Sequence, residues 1–251
     1  MWVIRRLIKR VVVTGVGSRH ALAVVAAFKR RGWLVVGVDA ELHPRHVNQF
    51  YLVSRGDLPG FADEMLMLVR RERTTLVIPT CDVDCLAVSR RSAEFRRLGA
   101  GAYLPDPATV EALTGSGGAV SALRRSGLQA CDPLGFPSPV IPGVQWFEVS
   151  LCRDARLPAS AVTCSVHELA SADGSAEVHA ERCKGEVDVE ELAARSARAL
   201  SLPGPATLLI RREVDGRLGV VRVMLRPCEY APLTDDVLDA LLSLWERDQP
   251  P

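Results

Sequence analysis

A glycine turn near the start of the chain carries the first residues whose types and spacing suit binding chemistry. Gly15 and Gly17 lie between a run of three valines and an apolar helical pattern, and Ser18 and Arg19 follow them. The backbone N–H groups of Gly17, Ser18 and Arg19 would then point outward from a helix N-terminus, which suits a carboxylate or a phosphate. The alternative is a tight strand-to-helix turn that needs glycine sterically and binds nothing.

An acidic residue at the end of the second predicted strand extends this pattern. Asp39 closes the run Leu34–Val38 and stands where a dinucleotide-binding βαβ unit places the acid that holds a ribose. The third glycine of that fingerprint is replaced by His20, whose bulk does not suit close packing of a helix on a strand. From these residues alone, a ligand site and a plain βα turn both stay open.

A third set of polar residues follows the predicted strand Thr75–Pro79. Thr80 and Asp82 lie at its carboxyl end, and open parallel sheets bind ligands at that edge. Asp82 and Asp84 also suit a structural role, because carboxylates at a helix start cap it and complement its dipole. We therefore expect a small ligand, if one binds, to contact a single group of residues at this edge: Gly15, Gly17, Ser18, Asp39, Thr80 and Asp82.

The order of the predicted elements indicates an α/β protein in two parts. Strands and helices alternate through residues 1–131, including one helix over Val83–Leu98 and a short strand at Ala102–Leu104, which predicts a Rossmann-like parallel sheet. Residues 132–145 contain four prolines and two glycines and are predicted to form a linker. Residues 146–251 predict several strands, a hairpin turned by Asp215-Gly216, and a final helix.

Composition narrows the classes of partner. The net charge of +1, from 31 basic and 30 acidic residues, gives no cationic field for a nucleic acid backbone. The seven cysteines and five histidines are dispersed without zinc spacing, which favours free thiols in a reducing cytoplasm and no metal site. No run reaches the roughly 18 apolar residues of a membrane-spanning helix. We expect a cytoplasmic protein without a nucleic acid or membrane partner.

Four motifs, in order, give the chain a family resemblance. They are Val-Val-Val-Thr-Gly-Val-Gly-Ser, Val-Val-Gly-Val-Asp-Ala, Leu-Val-Ile-Pro-Thr-Cys-Asp and Tyr-Leu-Pro-Asp-Pro-Ala-Thr-Val. Together they resemble the pre-ATP-grasp domain of ATP-grasp proteins similar to the carbamoyl-phosphate synthase large chain, and the resemblance resumes at Leu200–Pro205 and Arg211–Gly216. It implies a Rossmann-like pre-ATP-grasp domain followed by a shortened α+β ATP-grasp remnant with antiparallel strands.

The chain departs from that family at the positions that hold Mg-ATP. A lysine position reads Ser116, and the family's Glu-Ile-Asn-Pro-Arg strand reads Arg222-Val223-Met224-Leu225-Arg226, with Leu209 on the paired strand. Mg²⁺ requires oxygen ligands, which these side chains lack. The residues that should form the small lobe are also missing. Only Arg226 survives, and by itself it suits a small anion.

The resemblance and its departures together imply a catalytically inactive protein with no cofactor, acting as a binding or accessory subunit. Two alternatives stay open. The first is an ATP-dependent carboxylate–amine ligase that uses ATP-Mg and takes its missing ligands from a partner chain. The second is a Rossmann-like dinucleotide binder.

The missing lobe also leads to a prediction about partners. Without it, the strands Leu208–Ile210 and Val220–Val221 would present an exposed apolar face, larger than monomers usually carry. We therefore expect a homo-oligomer, or a complex with a partner protein such as an intact ATP-grasp ligase. The competing account is that residues 132–143 and the helix Thr234–Trp245 fold back and cover the face within one chain.

Overall fold

A computed structural model describes residues 9–44, 46–115, 117–131, 144–154, 162–171 and 178–249. Its first sheet is parallel, with strand order β3-β2-β1-β4. The strands are β1 (Arg10–Thr14), β2 (Leu34–Asp39), β3 (Gln49–Leu52) and β4 (Leu76–Ile78). The helices of this part of the chain are α1 (Arg19–Arg30), α2 (Phe61–Glu72), α3 (Asp82–Arg90), α4 (Ser92–Arg97), α5 (Pro107–Thr114) and α6 (Gly118–Arg125), of which α5 and α6 pack against the second sheet.

The valine-rich strands form this sheet because both of its faces are covered. Val12 packs in a cluster with α2 residues, whereas Val11 and Val13 pack in another cluster with α1 residues. All three valines are fully buried, as expected for the continuous apolar runs of parallel strands. The predicted parallel α/β sheet is therefore confirmed.

The second sheet is antiparallel, with strand order β7-β6-β5-β8-β9. Its strands are β5 (Gln145–Arg153), β6 (Val162–Ser171), β7 (Val178–Arg182), β8 (Gly204–Arg212) and β9 (Leu218–Met224), accompanied by α7 (Val187–Ala199) and α8 (Asp235–Asp248). The predicted hairpin joins β8 to β9, and Gly216 at its turn adopts φ +82°, a conformation that favours glycine. The antiparallel second part is confirmed.

Two local predictions are wrong. The predicted helix Val83–Leu98 is broken into α3 and α4 at Arg91, where the backbone leaves helical values and the guanidinium bonds to Asp63 of α2 at 3.0 Å. The predicted strand Ala102–Leu104 is reduced to one bridge between Gly101 and Leu76. Because β4 contains only three residues, little strand remains for a longer ladder.

The core runs across the predicted boundary between the two parts. Val110 of α5 and Leu123 of α6 belong to the same buried cluster as Phe147 of β5 and Leu208 of β8. Residues 132–143 of the predicted linker lie outside the described residues. The division of the chain into two domains and a linker stays a prediction.

The prediction of an exposed apolar sheet face is wrong. Leu208, Leu209, Ile210, Val220 and Val221 are at most 3% exposed. Helix α8 packs on β5, β6 and β8, and it also joins the parallel sheet's core cluster. Leu208, Ile210 and Val220 are instead covered in the cluster that contains residues of α5, α6 and α7, so the final helix does not cover the whole predicted face. Self-association loses the support that this face was expected to provide.

Candidate functional site

The predicted site residues meet at the carboxyl edge of the parallel sheet, where the ends of β1 and β4 are hydrogen-bonded to each other. Thr80 Oγ1 donates to the Thr14 carbonyl at 2.7 Å, and Thr14 Oγ1 accepts from Thr80 N at 3.1 Å. Gly15 adopts φ +59°, and a Cβ there would lie 2.9 Å from both Thr80 Oγ1 and Cys81 Sγ. Glycine is required at position 15 because both the backbone angle and the space exclude a side chain.

Asp39 holds the glycine turn closed. Its Oδ2 accepts from Gly17 N at 2.8 Å, and its Oδ1 accepts from Glu41 N at 3.2 Å. The His43 ring lies against the same turn, so that a Cβ on Gly17 would come within 2.4 Å of it. The residue expected to bind a ribose is thus engaged with backbone N–H groups of its own chain.

His20 replaces the third glycine of the fingerprint and has a different role from packing. Its Nε2 lies 3.0 Å from the Thr80 carbonyl and 3.1 Å from Ser18 Oγ. Because a carbonyl oxygen can only accept, Nε2 carries the ring proton. Burial, followed by the nearby Arg226, lowers the pKa of His20. The ring is neutral near pH 7 and links the start of α1 to the end of β4.

Arg226 brings the second sheet to this edge. It follows β9, is 8% exposed, and donates from Nη1 to the Thr80 carbonyl at 3.3 Å. Its Nη2 lies 2.5 Å from Glu229 Oε2, and its Nη1 lies 3.9 Å from Asp82 Oδ1. Arg226 Nε has no hydrogen-bond partner among the described residues. An almost buried guanidinium with a free N–H is suited to bind an acceptor on a ligand.

A buried carboxylate on β5 positions the loop that carries Arg226 and Glu229. Glu148 is fully buried and accepts from the backbone N–H groups of Glu229, Tyr230 and Ala231 at 2.8, 2.6 and 3.2 Å. Burial raises the pKa of Glu148, and these three hydrogen bonds oppose that shift. The loop is therefore fixed by a single side chain from a neighbouring strand.

Seven of the eight predicted site residues lie in this one region: Gly15, Gly17, Ser18, Asp39, Thr80, Asp82 and Arg226. The eighth, Arg19, is exposed and forms no hydrogen bond or ion pair within the described part of the chain. Sequence reasoning missed the roles of His20, Glu148 and Glu229. A signal for Glu229 was present in the Arg226-x-x-Glu229 spacing, but nothing local marked Glu148. That a ligand binds here stays a prediction.

A further carboxylate at this edge should make stability depend on pH. Burial raises the pKa of Asp84 from 3.8 to about 6, and Asp39 and Asp57 add to the shift. The pKa of Asp84 is therefore higher in the folded state than in the unfolded state. The stabilisation that the bound proton provides is fully present below about pH 4 and is lost as the pH rises through about 6. Wild type should therefore lose up to about 3 kcal/mol relative to Asp84→Asn across this range.

Urea unfolding of both proteins from pH 4 to 8 measures this difference. Asp82→Asn, in the same first turn of α3, is the matched control and should retain the pH dependence of wild type. Parallel curves for wild type and Asp84→Asn would contradict the assignment.

Two of the positions that the resemblance aligns with cation ligands lie in an apolar cluster on the antiparallel sheet. Leu209 and Met224 are each 1% exposed and pack with Leu169 and Val178. Arg222 pairs with Leu209 across the strands and is exposed. Among the described residues, no group of three or more His, Cys, Asp or Glu side chains is arranged to hold a metal ion. Ser116, at the position where the resemblance leads us to look for a lysine, lies outside the described residues.

Comparisons with known proteins bear on the fold. No protein-family model matches the chain, and no curated protein sequence matches it. The structure is similar to an L-amino acid ligase from Bacillus licheniformis, with TM-score 0.61, 15% identity, and coverage of 87% of this chain and 67% of that one. It is also similar to N5-carboxyaminoimidazole ribonucleotide synthetase from Thermotoga maritima, with TM-score 0.60, 14% identity, and coverage of 89% and 70%.

A third similar structure is the biotin carboxylase subunit of pyruvate carboxylase, with TM-score 0.63, 11% identity, and coverage of 97% of this chain and 71% of that one. These are ATP-grasp proteins, and the resemblance inferred from the sequence motifs is confirmed at the level of the fold. The chain has an ATP-grasp fold in which a parallel-sheet unit precedes an antiparallel sheet. In the part of the chain that the structure describes, no helix is long and apolar enough to cross a membrane.

Proposed function

We propose that this chain is a non-catalytic ATP-grasp-like protein that acts as a binding or accessory subunit. One observation carries the proposal: Leu209 and Met224, at positions where the resemblance places cation ligands, are buried in an apolar cluster. An unpaired cation or triphosphate at such a surface would lose its hydration without gaining oxygen ligands. The chain therefore lacks the means to organise phosphoryl transfer there.

The chain between the two sheets supports the same proposal. Only residues 126–144 separate α6 from β5, where the resemblance leads us to expect a small lobe of many tens of residues. The sequence contains just three lysines, Lys9, Lys29 and Lys184. A partner chain that supplied a lid and lysines would still meet the apolar cluster on the sheet, which disfavours a ligase completed in trans.

The dinucleotide alternative is disfavoured by the glycine turn. Asp39 would have to release Gly17 N and Glu41 N before it could bind a ribose, and His43 would have to leave the turn. Each lost hydrogen bond costs about 1 kcal/mol or more. A smaller ligand with an acceptor group needs none of these changes, because Arg226 Nε already lacks a partner among the described residues.

For the accessory role, we propose association with a partner protein, and an intact ATP-grasp ligase is the candidate. One of the similar structures, the biotin carboxylase subunit of pyruvate carboxylase, is itself a subunit of a larger carboxylase. Co-purification of the tagged chain with such a ligase, retained after a high-salt wash, tests this association.

We predict that the purified chain releases no ADP from ATP and Mg²⁺ in the presence of amino acid or carboxylate substrates. A coupled assay of ADP release measures this directly, and calorimetric titration with Mg-ATP and with NAD measures binding of each. The variants compared are Arg226→Gln, at the site, and Arg125→Gln, an exposed control at the end of α6. Metal-dependent ADP release that Arg226→Gln abolishes and Arg125→Gln retains would contradict the proposed function.

A further inference from the structure

A cleft lies between the parallel-sheet unit and β5, β8 and α8, far from the carboxyl edge. Its volume is about 620 Å³. It opens beside the amino end of β4, because Gly101, in its wall, donates from its backbone N to the Thr75 carbonyl at 2.9 Å. Thr80 follows the opposite end of the same strand. The two sites are therefore on opposite edges of the sheet.

Two carboxylates line this cleft, and both are already engaged. Asp154 Oδ2 binds Arg247 Nη2 at 2.5 Å. Asp248 Oδ2 accepts from the Tyr103 hydroxyl at 2.9 Å. Arg247 therefore balances the charge of Asp154, whereas Asp248 accepts from a neutral hydroxyl and keeps its negative charge.

Three arginines in the same lining have no such partner. Arg96 and Arg97 end α4, and Arg153 ends β5. None of the three side chains forms an ion pair within the described residues, and the only hydrogen bond of the Arg153 side chain described there is to the Leu202 carbonyl, at 3.4 Å. The three guanidiniums outnumber Asp248, the second of the two carboxylates in the lining, so the cleft has a net positive charge whose potential its low-dielectric walls concentrate.

An aromatic wall beside these arginines is held in place by close backbone contacts. A Cβ on Gly204 would lie 2.3 Å from Tyr103 Cβ, and a Cβ on Gly101 would lie 3.2 Å from the Tyr103 ring. The ring therefore has little freedom to move, yet the residue remains partly exposed. Leu244 of α8 adds an apolar surface to the same lining.

We infer that this cleft binds a small phosphorylated metabolite. The phosphate group is bound by Arg96, Arg97 and Arg153, because planar guanidiniums match phosphate oxygens in bidentate geometry. The organic part lies against Tyr103 and Leu244. A volume of about 620 Å³ is typical of sites for small molecules. The inference does not depend on whether the carboxyl edge binds a ligand or on the absence of catalysis.

Calorimetric titration of the full chain with phenyl phosphate tests the inference, with inorganic phosphate as the comparison. Wild type should bind phenyl phosphate, and the double variant Arg96→Gln/Arg97→Gln should weaken binding by about tenfold or more, as expected for lost charge-assisted hydrogen bonds. Arg153→Gln should weaken it as well. The matched control, Arg70→Gln/Arg125→Gln, removes the same charge from exposed helix ends elsewhere and should bind within about twofold of wild type.

Three results would overturn the inference. They are no binding of phenyl phosphate by wild type at millimolar concentration, equal weakening in the two double variants, and loss of binding in Arg226→Gln with none in Arg96→Gln/Arg97→Gln. The last result would place the anion at the carboxyl edge instead. Thermal unfolding of each variant verifies that a change in binding does not come from loss of the fold.

Discussion

Replacing Glu148 with alanine should destabilise the folded chain by about 3 to 6 kcal/mol, a large share of the stability of a typical domain. The carboxylate accepts three backbone N–H groups, from residues 229–231, in a place where it is itself fully buried. Alanine would leave all three donors without a partner and a cavity beside them. Urea unfolding followed by tryptophan fluorescence measures the change.

Two further variants separate this role from general effects on the sheet. Glu148→Gln keeps an acceptor oxygen but loses the charge, so its cost should fall between those of wild type and alanine. Glu181→Ala, on the exposed edge strand β7, should change stability by no more than about 0.5 kcal/mol. If Glu148→Ala were as mild as Glu181→Ala, the loop would not depend on this carboxylate.

The loop that Glu148 holds also positions two charged residues of the carboxyl-edge site. It places Arg226 against the Thr80 carbonyl and Glu229 near the His20 ring, where Oε2 lies 3.7 Å from Nδ1. A variant that loosens the loop should therefore weaken any binding at the carboxyl edge, although Glu148 itself lies on β5 of the other sheet. Binding at the arginine-lined cleft should be unaffected as long as the chain remains folded.

Local patterns were sufficient to predict much of this fold. The valine run at 11–13 and the run ending at Asp39 predicted buried parallel strands, and both lie in the first sheet. The turn at Asp215-Gly216 predicted the β8–β9 hairpin. These signals work because strand burial and turn geometry depend on residues close together in the chain.

The contacts that assemble the site could not be predicted in the same way. Arg226 lies 146 positions from Thr80, and Glu148 lies more than 80 positions from the loop that it holds. Nothing in the spacing near Glu148 distinguishes a buried acceptor from an exposed strand carboxylate. Only the packing of two sheets brings these partners together, so their pairing appears in the tertiary structure alone.

The prediction of an exposed apolar face on the antiparallel sheet was wrong for a related reason. Its strands were assigned correctly, but what covers a strand is decided by distant elements. Helix α8 packs on the antiparallel sheet and is also anchored at the first sheet, where Trp245 Nε1 donates to the Thr75 carbonyl at 3.1 Å and the Trp245 ring lies 4.8 Å from that of Trp33. An amphipathic pattern identifies such a helix without identifying the surface it covers.

Introducing an acidic residue at position 209, which the resemblance aligns with a cation ligand, should destabilise the folded chain and should not create catalytic activity. Leu209 is 1% exposed and packs with Met224, Leu169 and Val178. Leu209→Glu would place a carboxylate in this cluster without a cation beside it, and we expect a loss of about 4 kcal/mol or more. Met224→Asn should cost about 2 to 4 kcal/mol, because a buried amide would replace a thioether.

Arg222→Glu is the matched control for stability, since it introduces the same carboxylate on the paired strand at an exposed position, which the resemblance also aligns with a cation ligand. It should change the free energy of unfolding by no more than about 1 kcal/mol. Urea unfolding of the three variants, each with an ADP-release assay, separates two views of this face. If the cluster is packed core, Leu209→Glu is strongly destabilised and releases no ADP. If the face were instead an open nucleotide surface, water and Mg²⁺ would reach the new carboxylate, and Leu209→Glu would be about as stable as Arg222→Glu. The proposed absence of catalysis would then lose the observation on which it depends.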